Sequence, residues 1–316
     1  MEMSASEPFA AWPELAGLAR FLNRPAGRIF FFDSGAVGTG GAYGASGAQG
    51  ASAHLPIVLV HGLGDEADSF RHLFPLLSAK RRVLALDLPG FGRSVASGRV
   101  TVRSSAAALV ALLEAETPNG AIVAGSSLGA VVAEAASFRR PDLVKGLVFM
   151  DGGLPSPPTG GVDALPMLIP FVGERHYRAL RGRPEAAYAS LAPYYADLSG
   201  LPEADRAFLA ARVVDRVESD SQLAAYYSLM RSLAAAIIFR QKRYAKRLAS
   251  SPTRLLALWG AADRVVPIEG ADLLAKTAPR ARVHVVEGAG HLPHQEAPAA
   301  VAACLEEFAI EIESPT

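Results

Sequence analysis

At 316 residues, half of them apolar, the chain has material for a large buried core, as one domain with an insertion or as two domains. Its 31 basic and 31 acidic residues cancel, which removes the electrostatic case for nucleic acid or an anionic membrane as partner. A single cysteine, Cys304, excludes an internal disulfide; with no secretory-type N-terminus and no apolar run of 18 residues, the expectation is a cytoplasmic protein without stable membrane association.

Residues 9–23 (FAAWPELAGLARFLN) suggest a short amphipathic helix leading into a strand at about 28–32. Residues 35–53 are rich in Gly, Ala and Ser and lack apolar anchors, so a flexible loop is expected there. From Leu55 the pattern becomes regular. Strands at 57–61, 82–86, 121–125 and 146–151 alternate with helices at 67–79, 102–117 and 128–139, which implies a mostly parallel sheet with helices on both faces. The pattern breaks at Leu154-Pro155-Ser156-Pro157-Pro158. No strand signal follows until about 250, while 186–197 and 205–249 read as helical. A strand at 254–259, a helix at 268–277, a strand at 283–286 and a helix at 300–310 complete the chain, with Cys304 as a small core residue of the last helix. The expected organisation is an α/β core from 1–153 and 251–316, interrupted by helical residues 154–250.

Three short segments carry the chemistry. Gly125-Ser126-Ser127-Leu128-Gly129, Gly260-Ala261-Ala262-Asp263 and Gly288-Ala289-Gly290-His291 each follow a run that reads as a buried strand. The first is a Gly-x-Ser-x-Gly turn between a strand and a helix, where flanking glycines permit close approach and the turn lifts a serine hydroxyl clear of the sheet. Ser127 stands in that register, and Ser126 does not. A serine needs a base, and the base needs an orienting acid. Of seven histidines, His284 alternates with strand valines, whereas His291 lies in a loop that reaches back over the strand ends. His294, three residues on, suggests a metal pair, but no further ligand at suitable spacing supports one. Asp263 is the favoured acid because its loop leads through one helix and one strand to His291. Asp151, directly after the strand at 146–151, is the rival.

The order Ser, Asp, His at successive strand ends resembles the α/β-hydrolase superfamily. Val58-Leu59-Val60-His61-Gly62, Asp87-Leu88-Pro89-Gly90-Phe91-Gly92-Arg93-Ser94 and Phe31-Phe32-Asp33-Ser34-Gly35 are similar to further segments of that family, and together they span 28–153 and 251–312. The resemblance implies an oxyanion hole from the backbone N–H groups of Leu63 and Leu128, a helical cap at 154–250, and no metal or organic cofactor. It also implies a small-molecule substrate. Large cap side chains, among them Met167, Ile169, Phe171, Tyr194, Tyr226 and Phe239, mostly pack the cap, and some are expected to line an apolar acyl or aryl pocket. The activity implied is carboxylic-ester cleavage through an acyl-enzyme on Ser127. Carbon–carbon hydrolysis of a diketone-like substrate and a low-turnover ligand-binding role are the alternatives. One rival motif stands apart: Gly62-Leu63-Gly64-Asp65-Glu66-Ala67, with Asp87 about 20 residues on, fits a dinucleotide-binding fingerprint but leaves Ser127, Asp263 and His291 unexplained.

Overall fold

The computed structural model describes residues 9–35, 54–156 and 168–314. The stretch 36–53 of the Gly/Ala/Ser-rich segment and Met167 lie outside the described residues. A 3₁₀ turn at Pro13–Leu18 leads into strands β1 (Ala19–Arg24) and β2 (Gly27–Asp33). The chain then forms β3 (Ile57–Val60), a 3₁₀ turn (Ala67–Phe70), helix α1 (Leu73–Ser78), β4 (Val83–Leu86) and a two-residue β5 (Val95–Ala96). Helix α2 (Val102–Glu116), β6 (Ala121–Ser126), α3 (Leu128–Ser137) and β7 (Val144–Met150) follow. Among the described residues four α-helices then intervene, α4 (Val172–Arg178), α5 (Pro184–Ala189), α6 (Glu203–Glu218) and α7 (Asp220–Ala249), with a 3₁₀ turn at Ala192–Tyr194. The chain closes with β8 (Arg254–Gly260), α8 (Glu269–Thr277), β9 (Arg282–Val286), α9 (Pro293–Glu296) and α10 (Pro298–Glu313).

The strands form one sheet in the order β1-β2-β4-β3-β6-β7-β8-β9, with β5 attached to β2. From β4 to β9 every pairing is parallel, while β1 and β2 run antiparallel to their neighbours. Strands β3, β4 and β6 are buried along their whole length, so apolar runs rather than alternation mark them. Two apolar layers cover the sheet. Val58, Val60, Val123 and Leu147 face one layer, and Ile57, Leu59, Ile122 and Val148 face the other, as period-two geometry requires. Cys304 is buried in the second layer.

Four elements differ from the sequence expectation. Residues 9–23 form a 3₁₀ turn and the first part of β1 rather than a helix; β1 is an edge strand with almost no buried side, so it lacks strand periodicity. The expected helix at 67–79 is a 3₁₀ turn followed by the short α1. The helical stretch 205–249 is two helices, parted at Ser219, whose hydroxyl accepts from Gln222 N–H and caps α7. The strand before His291 is the exposed edge β9, not a buried strand. By length and composition α7 alone, among the described residues, could cross a membrane. Here it packs on the core: Ser228 donates to Val100 O at 2.7 Å, and Val102 N–H donates to Ser232 Oγ at 3.1 Å.

Candidate active site

All the parallel strands point their C-terminal ends to one edge of the sheet, and the singled-out residues stand along that edge. Ser127 follows β6 with φ +52° and ψ −117°, a strained conformation for a residue with a side chain. The strain comes from close packing. A Cβ on Gly125 would lie 2.3 Å from the Gly129 backbone, and one on Gly129 would lie 2.2 Å from Val60 O. Helix α3 therefore starts against β3 and β6 with nothing between, and Ser127 is pushed out at its N-terminus. Gly62 belongs to the same contact, since a Cβ there would meet Ser127 Cβ at 3.3 Å.

His291 and Asp263 are in direct contact. His291 Nδ1 and Asp263 Oδ2 lie 2.8 Å apart, with the histidine side chain 2 % exposed and the aspartate fully buried. Asp263 Oδ1 accepts the N–H groups of Val265 at 2.7 Å and Val266 at 3.0 Å, which fixes the carboxylate in its turn. Since the carboxylate only accepts, Nδ1 carries the proton and Nε2 is the free basic atom. Ser127 Oγ makes no hydrogen bond among the described residues, and a serine–base bond often tightens only around a substrate. The N–H groups of Leu63 and Leu128 donate to no other described residue. Both flank Ser127, one in the loop after β3 and one at the first position of α3.

The rival acid is also here. Asp151 follows β7 at φ +53°, and its Oδ1 accepts the Gly260 N–H at 2.8 Å. Asp151, Asp263 and His291 bring one donor atom each within 4.8 Å of one another. Burial, together with the charge of Asp263, pushes the Asp151 carboxyl well above the usual carboxylate range. These three are a poor cradle for a cation, because Asp263 Oδ2 and Asp151 Oδ1 are already engaged by N–H donors. His294 is elsewhere: its Nε2 meets Ser69 Oγ at 2.8 Å inside the protein, and burial pushes its pKa down to about 3.

The dinucleotide fingerprint dissolves on inspection. The loop after β3 enters a 3₁₀ turn rather than a helix, and Asp87 is consumed by Ala67 N–H at 2.7 Å and by Arg93. A Cβ on Gly92, at φ +51°, would lie 2.3 Å from the Asp87 carboxyl, which explains that glycine. His61 accepts the Leu88 N–H on Nε2 at 2.8 Å and so donates from Nδ1 to Gly62 O at 2.7 Å, holding the loop that presents Leu63.

Sequence reasoning missed how the helical residues dock. Arg216 of α6 reaches Asp65 at 3.1 Å and Glu66 at 3.3 Å in the loop after β3. Glu66 is fully enclosed, and burial pushes its pKa up to about 7. Arg71 holds Asp205 of α6 at 2.5 Å, with both side chains buried. Tyr194 stands 5.9 Å from the His291 ring, and Tyr226 lies against Gly64. Glu296 accepts Gly290 N–H at 2.7 Å and Ala196 N–H at 2.8 Å, joining the histidine loop to the helical segment. Local sequence carries no signal for the contacts between the inserted segment and the core, which pair residues about 100 to 160 positions apart.

A parallel sheet with a strained serine at one strand end and a buried histidine–aspartate pair nearby defines the class of α/β hydrolases. The sequence profile of the alpha/beta hydrolase family matches residues 57–304, and the chain belongs to that family. It is 31 % identical over 256 residues to a pimeloyl-[acyl-carrier protein] methyl ester esterase of Edwardsiella ictaluri (strain 93-146), covering 80 % of this chain and 92 % of that enzyme. It is 29 % identical over 247 residues to a 2-hydroxy-6-oxononadienedioate/2-hydroxy-6-oxononatrienedioate hydrolase 1 of Dechloromonas aromatica (strain RCB), covering 74 % of this chain and 80 % of that enzyme. Among solved structures, a putative lipase from Acinetobacter baumannii AYE superposes with a TM-score of 0.74 at 20 % identity, over 95 % of this chain and 93 % of that one. The family thus brings relatives named as an esterase, a lipase and an oxo-dienedioate hydrolase to one fold.

Proposed function

We propose that the chain is a serine hydrolase that cleaves carboxylic esters with apolar acyl or aryl groups through an acyl-enzyme on Ser127. The observation that carries this is the buried His291 Nδ1–Asp263 Oδ2 contact of 2.8 Å, at the same sheet edge as a serine held at φ +52°. His291 Nε2 takes the Ser127 proton as Oγ attacks the ester carbonyl. The N–H groups of Leu63 and Leu128 bind the oxyanion, each such donor contributing about 3–4 kcal/mol in comparable sites. The helix N-terminus at Leu128 adds to that stabilisation. His291 then returns the proton to the departing alcohol, and a water activated by the same nitrogen releases the acid. The helices between β7 and β8 act as a cap, and Tyr194 and Tyr226 contribute to the acyl-site wall. No step needs a metal or an organic cofactor.

Purified protein and Ser127→Ala, assayed on p-nitrophenyl esters from acetate to decanoate, test the reading. Turnover that disappears in the variant is expected, and the chain-length profile measures the acyl site. The relatives that cleave carbon–carbon bonds support a second reading, in which the same triad activates water for a vinylogous diketone. Activity on aryl dienoates with none on the ester series would select it.

A further inference from the structure

Asp151 has no part in the reading just given, yet it sits behind the base. Its side chain is fully buried. Its Oδ1 accepts the Gly260 N–H at 2.8 Å, while Oδ2 meets no N–H or O–H donor. Its backbone φ of +53° is a conformation that Asp and Asn tolerate better than other side chains. Asp263, by contrast, is fully supplied, with Val265 and Val266 N–H on one oxygen and His291 on the other.

Two carboxylates this close and this far from water do not both ionise. The one with three N–H donors keeps the charge, and the one with a single donor and a bare oxygen takes the proton. Burial and the Asp263 charge act on Asp151 in the same direction, and so does Glu296 of α9. Among the described residues, the titratable groups set against Asp151 are Asp263 from the turn after β8, His291 from the loop after β9, and Glu296, none of them a lysine or arginine.

We propose that Asp151 is a positioning residue, protonated at neutral pH, that donates a hydrogen bond from Oδ2 to the Asp263 carboxylate and so limits the negative charge behind His291 to one. This rests on the proposed roles of Ser127, His291 and Asp263. The proton stays on Asp151 throughout. Its hydrogen bond disperses the Asp263 charge, which tempers the pull of that carboxylate on the imidazolium and keeps the base free at neutral pH. Asparagine reproduces the arrangement, because its carbonyl accepts from Gly260 and its amide donates to Asp263.

The test is the pH dependence of kcat/KM on an ester that Ser127→Ala no longer turns over, for wild type, Asp151→Asn and Asp151→Ala. Thermal unfolding of each and an EDTA control accompany it. Asp151→Asn should stay within about threefold of wild type, with the acidic limb unmoved. Asp151→Ala should raise that limb by about half a unit to one unit and lower kcat/KM at pH 7 by up to about threefold to tenfold, because the undispersed Asp263 charge holds the imidazolium more firmly. A limb that falls by about one unit in Asp151→Asn would overturn the proposal, since an ionised Asp151 must then have supported the imidazolium. Equal rates and an unmoved limb in both variants would reduce Asp151 to packing. Wild-type activity lost to EDTA would place a cation where the proton is assigned. If Asp151→Ala does not fold, the asparagine arm alone decides the charge. Turnover that survives Ser127→Ala strikes the underlying reading and not this one.

Discussion

The sheet and the helices inserted between β7 and β8 are held by different mixtures of forces. Sheet strands are sealed by apolar side chains on both faces, and fully burying each such side chain is worth about 1.5–3 kcal/mol. Among the described residues, the inserted helices share one small apolar cluster of their own, around Ala187, Val213 and Val217, α7 adds Ala225, Leu229, Ala236 and Leu248 to a core layer, and the rest of the docking is by charge and hydrogen bonding. Arg216 with Asp65 and Glu66, Arg71 with Asp205, and Tyr195 Oη with Gln295 at 2.8 Å are their anchors. The inserted segment also leaves large apolar side chains in water, with Phe171 84 % and Phe239 80 % exposed. Apolar sealing gives a rigid edge on which the strained backbone of Ser127 persists. In the inserted segment apolar packing runs mainly along α7, and polar anchors hold α6 and the stretch around Tyr195 in place.

The largest expected effect falls on the rigid side. Ser127→Ala should lower kcat by on the order of 10⁶ while leaving the thermal midpoint unchanged. Asp263→Asn should cost on the order of 10⁴ in kcat by releasing the wrong tautomer of His291. A near-normal rate in that variant would move the acid role to Asp151. On the anchored side, Arg216→Ala leaves Glu66 buried without its partner and should cost about 3–5 kcal/mol in urea unfolding. A loss below about 1 kcal/mol would show that the insertion is held by packing after all.

A subtler effect separates a buried group that belongs to the core from those at the sheet edge. Glu134 on α3 accepts Leu154 N–H at 3.1 Å, and burial holds its carboxyl well above the ordinary 4.5. The native state therefore keeps a proton that the unfolded chain releases, so this group's contribution is complete below pH 4.5 and declines as pH rises. Glu134→Gln should match wild type near pH 4 and exceed it by about 1–2 kcal/mol at pH 8. A constant difference across that range would rule out titration as the cause. Phe239→Ser, on the exposed face of α7, should change stability by no more than about 0.5 kcal/mol.

The legible parts of the sequence are those set by nearby residues. Strands β3, β4, β6, β7 and β8 announce themselves as apolar runs because a parallel sheet buries both faces. Ser127 shows through Gly125 and Gly129, since a backbone crossing that tight admits no Cβ. Asp263 and His291 show through their position after strands. Edge strands do not show: β1 has no buried side to impose a period, and the valines of β9 read as interior while lying at the rim. The link between Asp151 and Asp263, the Arg216 anchor and the approach of Tyr194 to His291 all depend on how distant segments dock. No local pattern encodes those distances.

The Glu296 carboxylate has one oxygen on the backbone of the histidine loop and the other on the backbone of the inserted segment. The contact has no slack, because a Cβ on Gly290 would lie 2.6 Å from Ala196 N. Two loops bolted to one carboxylate behave mechanically as a single part. Lifting the segment that carries Tyr194 must either break that clamp or drag the His291 loop along with it. The position of that segment and the position of the His291 loop are thereby geared to each other, with the glutamate as the tooth.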